Sequence, residues 1–434
     1  MPNRLPLIAL LTAALCLPAC GRKPPASPAT PTTTATTART TLTFWHIMNY
    51  EGPREMIDGA VLRFEAANPD VKVNVQTFDN DAYKTKLSVE LAGGAPPDVF
   101  FTWGGGGLAA MAEAGRVLDL TEAVSRDGWR ERFLPAALPF CAARDRVYAV
   151  PLDLSCVPVW YNAALFEKLQ VTPPKTLDEL QSLCRSLRER GVTPFALGNQ
   201  AQWPGALFFI YLAARGGGTE LFLDAAARKA GHAFTDPAFI RAGEGVRQLV
   251  EAKAFSVGFN GIDDGQARTR FLNGDAAMYL MGTWLVARAQ KEKPEFLPHL
   301  KCFPFPTVPG GAGDPATVVG GVNCAFAVSK SCKRPEKAVE LLRFLTAPEM
   351  AEAWCRIGRI PALAVKDDAL AQLPVPTRET LALLRAAKSI QPYYDQYLPP
   401  RLAEEHKKTT QALLAGTMKP QEAAERMEKA ASEK

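Results

Sequence analysis

Histidine is scarce in this chain. Its 434 residues include four, His46, His232, His299 and His406, and no two stand at the spacing of metal ligands. No Cys-x-x-Cys pair occurs among the nine cysteines, which removes thiolate zinc sites and dithiol redox chemistry of that type. The phosphate loop Gly-x-x-x-x-Gly-Lys-Ser/Thr, the Gly-x-Ser-x-Gly elbow and His-Glu-x-x-His are all missing. A surplus of one charge is missing too. Lys+Arg number 50 against 45 Asp+Glu, a net +5 that is too small and too dispersed for a nucleic-acid binder. No apolar run reaches the ~18 residues of a membrane-spanning helix.

What remains is an ordinary globular composition, 47% hydrophobic and 22% charged, with ample material for sizeable cores. The length exceeds the usual ~100–200 residues of one domain, so two or more lobes are expected. Leu5 to Leu17 forms an apolar stretch behind Arg4, which fits a secretory signal over residues 1–19. Leu17-Pro-Ala-Cys20 at its end resembles the bacterial lipobox, in which the chain is cut before the cysteine and the thiol then carries a lipid. Cys20 is therefore the expected lipidation site, and residues 20–41, rich in Pro and Thr with no apolar pattern, the expected tether. The later cysteines, Cys141 to Cys355, read mostly as small buried hydrophobes whose pairing the spacing leaves open.

Beyond the tether the pattern alternates strand and helix. Thr41 to Ile47 reads as strand, Met56 to Phe64 recurs at helical spacing up to Asn68-Pro69, and Val71 to Val75 alternates again. A helix from about Asp81 to Leu91 and a strand over 98–103 complete a β-α-β-α-β order, which implies a largely parallel sheet covered by helices. Thr176 and Glu179 have the spacing of a capping box. Strands are expected near 193–197, 276–281 and 318–328, the last interrupted at Gly320-Gly321. Helices are expected at 204–214 and 237–251, from Trp284, and for most of the chain after Arg334.

Four segments carry a more specific resemblance: Phe64-Glu-Ala-Ala-Asn-Pro-Asp70, Leu91-Ala-Gly-Gly-Ala-Pro-Pro-Asp-Val99, Gly274-Asp-Ala-Ala-Met-Tyr-Leu-Met-Gly-Thr-Trp284 and Gly320-Gly-Val-Asn-Cys-Ala-Phe326. In this order they resemble the extracellular solute-binding proteins of bacterial carbohydrate importers, the maltose-binding-like family. The resemblance implies two discontinuous α/β lobes joined by a hinge, with a ligand cleft between them. It places one lobe at 42–151 plus 283–328 and the other at 152–282 plus 329–434, with crossings near Pro151, Gly282 and Ser329. It also implies a monomeric, non-enzymatic receptor that delivers a carbohydrate to the permease subunits of an ABC importer. The protein would be exported and held at the membrane by its lipid, with no cofactor, no metal and no nucleic acid.

In open α/β sheets ligands bind beyond the carboxyl ends of strands, and there a tryptophan can cover the C–H face of a pyranose. Trp284, at a strand-to-helix turn, matches the sugar-stacking tryptophan of the resembled family. Trp103, Trp203 and Trp45 are further platforms, whereas Trp129, Trp160 and Trp354 are assigned to packing. Asp153 and Asp395 are the carboxylates expected to hold hydroxyls, with Asn49 and the backbone at Gly321 beside them. Gly104-Gly-Gly106-Gly-Leu-Ala109 superficially suggests a dinucleotide loop, but it follows the third strand, and it fits better as a place where backbone approaches a ligand closely. Two other readings stay open. Asp153 with Asp395 could supply the carboxylate pair of an exported glycoside hydrolase, and the receptor could serve a non-sugar solute such as a polyamine.

Overall fold

The computed structural model describes residues 39–433. The expected leader, Cys20 and the tether up to residue 38 lie outside them. The strands are β1 (Thr40–His46), β2 (Val71–Thr77), β3 (Val99–Thr102), β4 (Ala142–Ala143), β5 (Arg146–Val147), β6 (Ala149–Cys156), β7 (Val159–Asn162), β8 (Thr193–Ala196), β9 (Ala276–Leu280), β10 (Leu300–Phe303), β11 (Val318–Val328), β12 (Ile360–Pro361) and β13 (Ile390–Gln391). The helices that matter below are α1 (Pro53–Ala67), α2 (Asn80–Gly93), α3 (Gly105–Glu113), α4 (Leu177–Glu189), α5 (Trp203–Gly217), α6 (Asp264–Leu272), α7 (Trp284–Glu292), α8 (Pro335–Leu345), α9 (Pro348–Arg356) and α10 (Pro400–Ala415).

Two sheets organise two bodies. In the first, the strands run β12-β6-β11-β3-β1-β2, with β13 beside β11. β1 pairs in parallel with β2 and β3, as the repeating β-α order requires, but β11 is antiparallel to both β3 and β6, so the sheet is mixed. The second sheet runs β10-β7-β9-β8, with only β8 and β9 parallel. Pro53 starts α1 directly after Gly52, whose φ of 89° turns the chain out of the preceding loop. The helix buries Ile57, Ala60, Val61 and Phe64 against the sheet, and each large side chain there contributes roughly 1.5–3 kcal/mol. The Thr176 hydroxyl accepts from the Glu179 amide at 3.2 Å to cap α4, while the Glu179 carboxylate takes the Lys175 amide at 2.6 Å in place of Thr176's own.

The cores correct the expected lobe boundaries. Ala338, Leu341, Leu342 and Trp354, on α8 and α9, pack in the first core with Phe44, Phe64 and Phe326. Leu285, Val286 and Ala289 on α7, by contrast, pack with the second body beside Phe271 and Tyr279. The chain changes body between Leu154 and Val157, between Val319 and Val322, and again between Leu384 and Tyr393. These crossings lie side by side, because β11 pairs with both β6 and β13. Burial decides the boundaries here, and a break in local pattern such as Gly282 or Ser329 marks only a turn within one body.

The expected interruption at Gly320-Gly321 is absent, since β11 runs unbroken through both. A Cβ at Gly320 would come within 2.4 Å of the Ser155 carbonyl oxygen, so this crossing requires a bare backbone. Among the described residues all seven cysteines are unpaired, and six of them are buried. No single helix among those residues is long and apolar enough to cross a membrane.

Candidate functional site

The carboxyl ends of parallel strands converge on one cleft from both bodies. The loop after β1 brings Asn49 and Tyr50, the loop after β2 brings Asp79, and β3 delivers Trp103. From the second body, the turns after β8 and β9 bring Trp203 and Trp284. The cleft is a cavity of about 170 Å³. Tyr83 on α2 donates its hydroxyl to the Phe101 carbonyl at 2.6 Å, tying that helix to β3 behind Trp103.

The structure brings five of the eight expected residues to this cleft: Asn49, Trp103, Trp203, Trp284 and Asp395. Trp203 and Trp284 stand edge to face, with centroids 6.1 Å apart, and the buried indole N–H of Trp203 has no partner among the described residues. Gly282 makes the Trp284 pose possible, because a Cβ there would lie 2.0 Å from the ring. Asp395 has no basic group within ion-pairing distance among the described residues. Burial raises its carboxyl pKa, and Lys84 and Lys407 pull it back only in part.

The other three lie elsewhere. Trp45 is 7% exposed in the first core, against Phe78 at 5.0 Å and under the Lys86 ammonium at 4.9 Å. β1 is an interior strand covered on both faces, so even its penultimate residue is enclosed, and only the loop beyond it reaches the cleft. Gly321 packs against the Phe140 ring in the crossing strand, where a Cβ would come within 3.0 Å. Asp153 is buried behind the cleft, receiving Arg359 Nε at 2.6 Å and Asn323 Nδ2 at 3.4 Å. Burial pushes the Asp153 carboxyl up against the pull of Arg359. Burial also opposes the Arg359 charge, but Asp153 more than offsets it and raises that pKa. Asp153 and Asp395 therefore do not face a common ligand, which corrects the proposed hydrolase pair.

The glycine run also has a different role from the expected one. Added Cβ atoms at Gly105 and Gly106 would lie 2.3 Å from the Gln396 carbonyl and 2.4 Å from that of Leu398. The close approach is by the chain's own C-terminal segment, which the glycines lock beside Trp103. Trp129, Trp160 and Trp354 are fully buried. Trp129 and Trp160 donate their N–H groups to the Thr346 hydroxyl at 2.9 Å and the Met281 carbonyl at 2.8 Å.

Several lining residues escaped the sequence reading. Arg288 lies one helical turn beyond Trp284, on the same face of α7, and that spacing was a usable signal. Its guanidinium sits 3.5 Å over the Tyr50 ring, and its Nη2 donates to Asn49 Oδ1 at 3.5 Å. Asn49 in turn donates to Asp79 at 2.7 Å. Arg359 came into view only through the long-range pair with Asp153; its Nη1 also donates to the Tyr50 hydroxyl at 3.2 Å. Asp264 accepts from the Tyr279 hydroxyl and faces Arg268 at 3.5 Å, and burial raises its pKa in spite of both.

The lining charges balance, with Lys84, Arg268, Arg288 and Arg359 against Asp79, Asp81, Asp264 and Asp395. Each cation already has a carboxylate within 4.0 Å: Asp81 for Lys84, Glu292 for Arg268 and Arg288, and Asp153 for Arg359. Among the described residues the arrangement offers aromatic faces, an unspent carboxylate at Asp395 and, at Trp203, an unspent N–H, with no net field for a strongly charged ligand.

Comparison with known proteins is consistent with this geometry. Residues 49–352 match the family described as bacterial extracellular solute-binding protein. An ABC transporter extracellular-binding protein of Pyrococcus horikoshii is 25% identical over 332 residues, covering 74% of this chain and 71% of its own. A probable sugar-binding periplasmic protein of Mesorhizobium japonicum is 29% identical over 232 residues, 53% of this chain and 54% of that one. The chain is also similar to a structure solved in a study of xylan utilization by the thermophilic bacterium Caldanaerobius polysaccharolyticus. That match has a TM-score of 0.85 and 31% identity, and covers 90% of this chain and 99% of the other. A chitin oligosaccharide binding protein shares the fold with a TM-score of 0.81 at 24% identity, covering 90% of this chain and 98% of its own.

Proposed function

The chain belongs to the bacterial extracellular solute-binding proteins, and from that premise we propose that it is the sugar-binding receptor of an ABC-type importer. It binds a neutral carbohydrate between its two bodies and presents it to the permease. The observation that carries this reading is the cleft's composition. Trp203 and Trp284 offer apolar faces, the Trp203 N–H and the Asp395 carboxylate are unspent, and every lining cation is already paired. Sugar rings need C–H platforms together with fixed donors and acceptors, and hydrogen bonds to a charged group contribute roughly 1.5–3 kcal/mol each. The names of the relatives agree, since they include sugar-binding and chitin-oligosaccharide-binding proteins.

The role is binding without chemistry. Ligand contacting both bodies favours the arrangement in which they approach, and the permease reads that arrangement. As a member of an extracellular family the protein is exported, and a lipid on Cys20 would hold it at the membrane. Thermal unfolding across a panel of neutral sugars, phosphorylated sugars and spermidine tests the ligand class. A neutral sugar should raise the midpoint, whereas a shift confined to spermidine would support the polyamine reading instead.

A further inference from the structure

A second cavity, of about 340 Å³, lies on the far side of Trp103, between α2, α3 and α10. It shares Trp103, Lys84, Asp395 and Gln396 with the main cleft, so these four form a wall common to both. The wall is fixed in place, because Gly105 and Gly106 allow the 396–398 backbone to lie directly on α3. Asp395 stands in it between Lys84 and Lys407, and Lys407 lines only the second cavity. Leu87, Leu91 and Met111 give that cavity an apolar floor, as a pyranose C–H face requires.

We propose that the two cavities are one carbohydrate groove, and that the ligand is an oligosaccharide that passes Trp103 and seats a further unit against Leu87, Leu91 and Met111. The proposal rests on the sugar-receptor reading and specifies its substrate as longer than the main cleft can hold. The continuity of the wall argues for one occupant instead of two: a carboxylate with hydroxyls within reach on both sides serves a chain that runs past it.

Gly107 provides the test. It lines the second cavity only, its φ is not positive, and an added Cβ meets nothing within 4 Å. Gly107→Leu should therefore fill that cavity without disturbing the fold. Calorimetry on the whole protein would use malto-, chito- and xylo-oligosaccharides of one to five units. In the series that binds, the unit that reaches the second cavity should raise affinity at least about fivefold, the gain from burying ~40 Å² of apolar face. Gly107→Leu should abolish that gain and leave the shorter members unchanged. Ser88→Trp, at an exposed α2 position lining the same cavity, is the second variant should the first not fold. Equal affinity along the series in the unaltered protein would overturn the proposal. So would a Gly107→Leu effect that is the same on short and long members, or absent from both. Failure of every series to bind the unaltered protein would overturn the receptor reading itself, and the groove with it.

Discussion

The Arg288 guanidinium lies 3.5 Å from the centroid of the Tyr50 ring, although Tyr50 packs with the first body and Arg288 sits on a helix of the second. A cation over an aromatic face is worth about 0.5–2 kcal/mol, so this contact favours approach of the two walls. Tyr50→Ala should lower sugar affinity about 2- to 30-fold and reduce ligand-induced compaction in small-angle scattering. Tyr50→Phe keeps the ring and should keep most of both. Glu51 and Lys291 also pair across the cleft, but both are about half exposed, and Lys291→Ala should change affinity less than about twofold.

Trp284 depends on the absence of a side chain at Gly282. Trp284→Ala should cost roughly 1–3 kcal/mol of binding, as for loss of an aromatic anchor. Gly282→Ala should weaken binding nearly as much, because its methyl would occupy the space of the ring. Calorimetry paired with denaturant unfolding checks this. Binding that survives Gly282→Ala while stability collapses would make Trp284 a core residue.

The buried pair of Asp153 and Arg359 is held by Arg359 Nε at 2.6 Å. Removing one member strands the other charge, so Asp153→Asn or Arg359→Met should each cost about 3–5 kcal/mol of stability. The double replacement should cost less than the sum of the two. Urea midpoints for the three variants measure the coupling.

Trp284 and Trp203 were legible because each stands where a strand pattern gives way to a helix pattern, at a carboxyl end of the sheet. Trp45 has the same local signature, but no local pattern tells an interior strand from one that ends at a cleft. Asp153 was marked for its charge near a crossing, and its Arg359 partner lies 206 positions away, beyond the reach of any spacing rule. The longer strands were readable from their apolar pattern, whereas β4, β5, β12 and β13, of two residues each, are too short to have a period, and the four-residue β10 was not read either. The lobe boundaries failed because membership depends on which core a helix buries, and α8 and α9 look alike from either side.

His46 is enclosed, with Nδ1 accepting the Met48 amide at 3.1 Å. Burial, and then the charge of Arg54, lowers its pKa to about 3. The unfolded chain takes up that proton near 6.5, so between those values it binds more protons than the fold and stability falls as pH falls. From pH 6.5 to 4.5 the loss from this residue should be about 2 kcal/mol. His406 is lowered similarly, also to about 3, so His46→Gln should remove only part of the acid sensitivity. Urea midpoints at the two pH values give the slope, and an unchanged slope in His46→Gln would contradict the assignment.

Calorimetric titration of the protein and of its Trp203→Ala, Trp284→Ala double variant with neutral sugars tests the central claim most directly. Saturable one-to-one binding of a neutral sugar is predicted for the unaltered chain. The double variant, provided it melts as the parent does, should lose it. No neutral sugar bound by the parent, or undiminished binding by the double variant, would contradict a carbohydrate site built on these two rings.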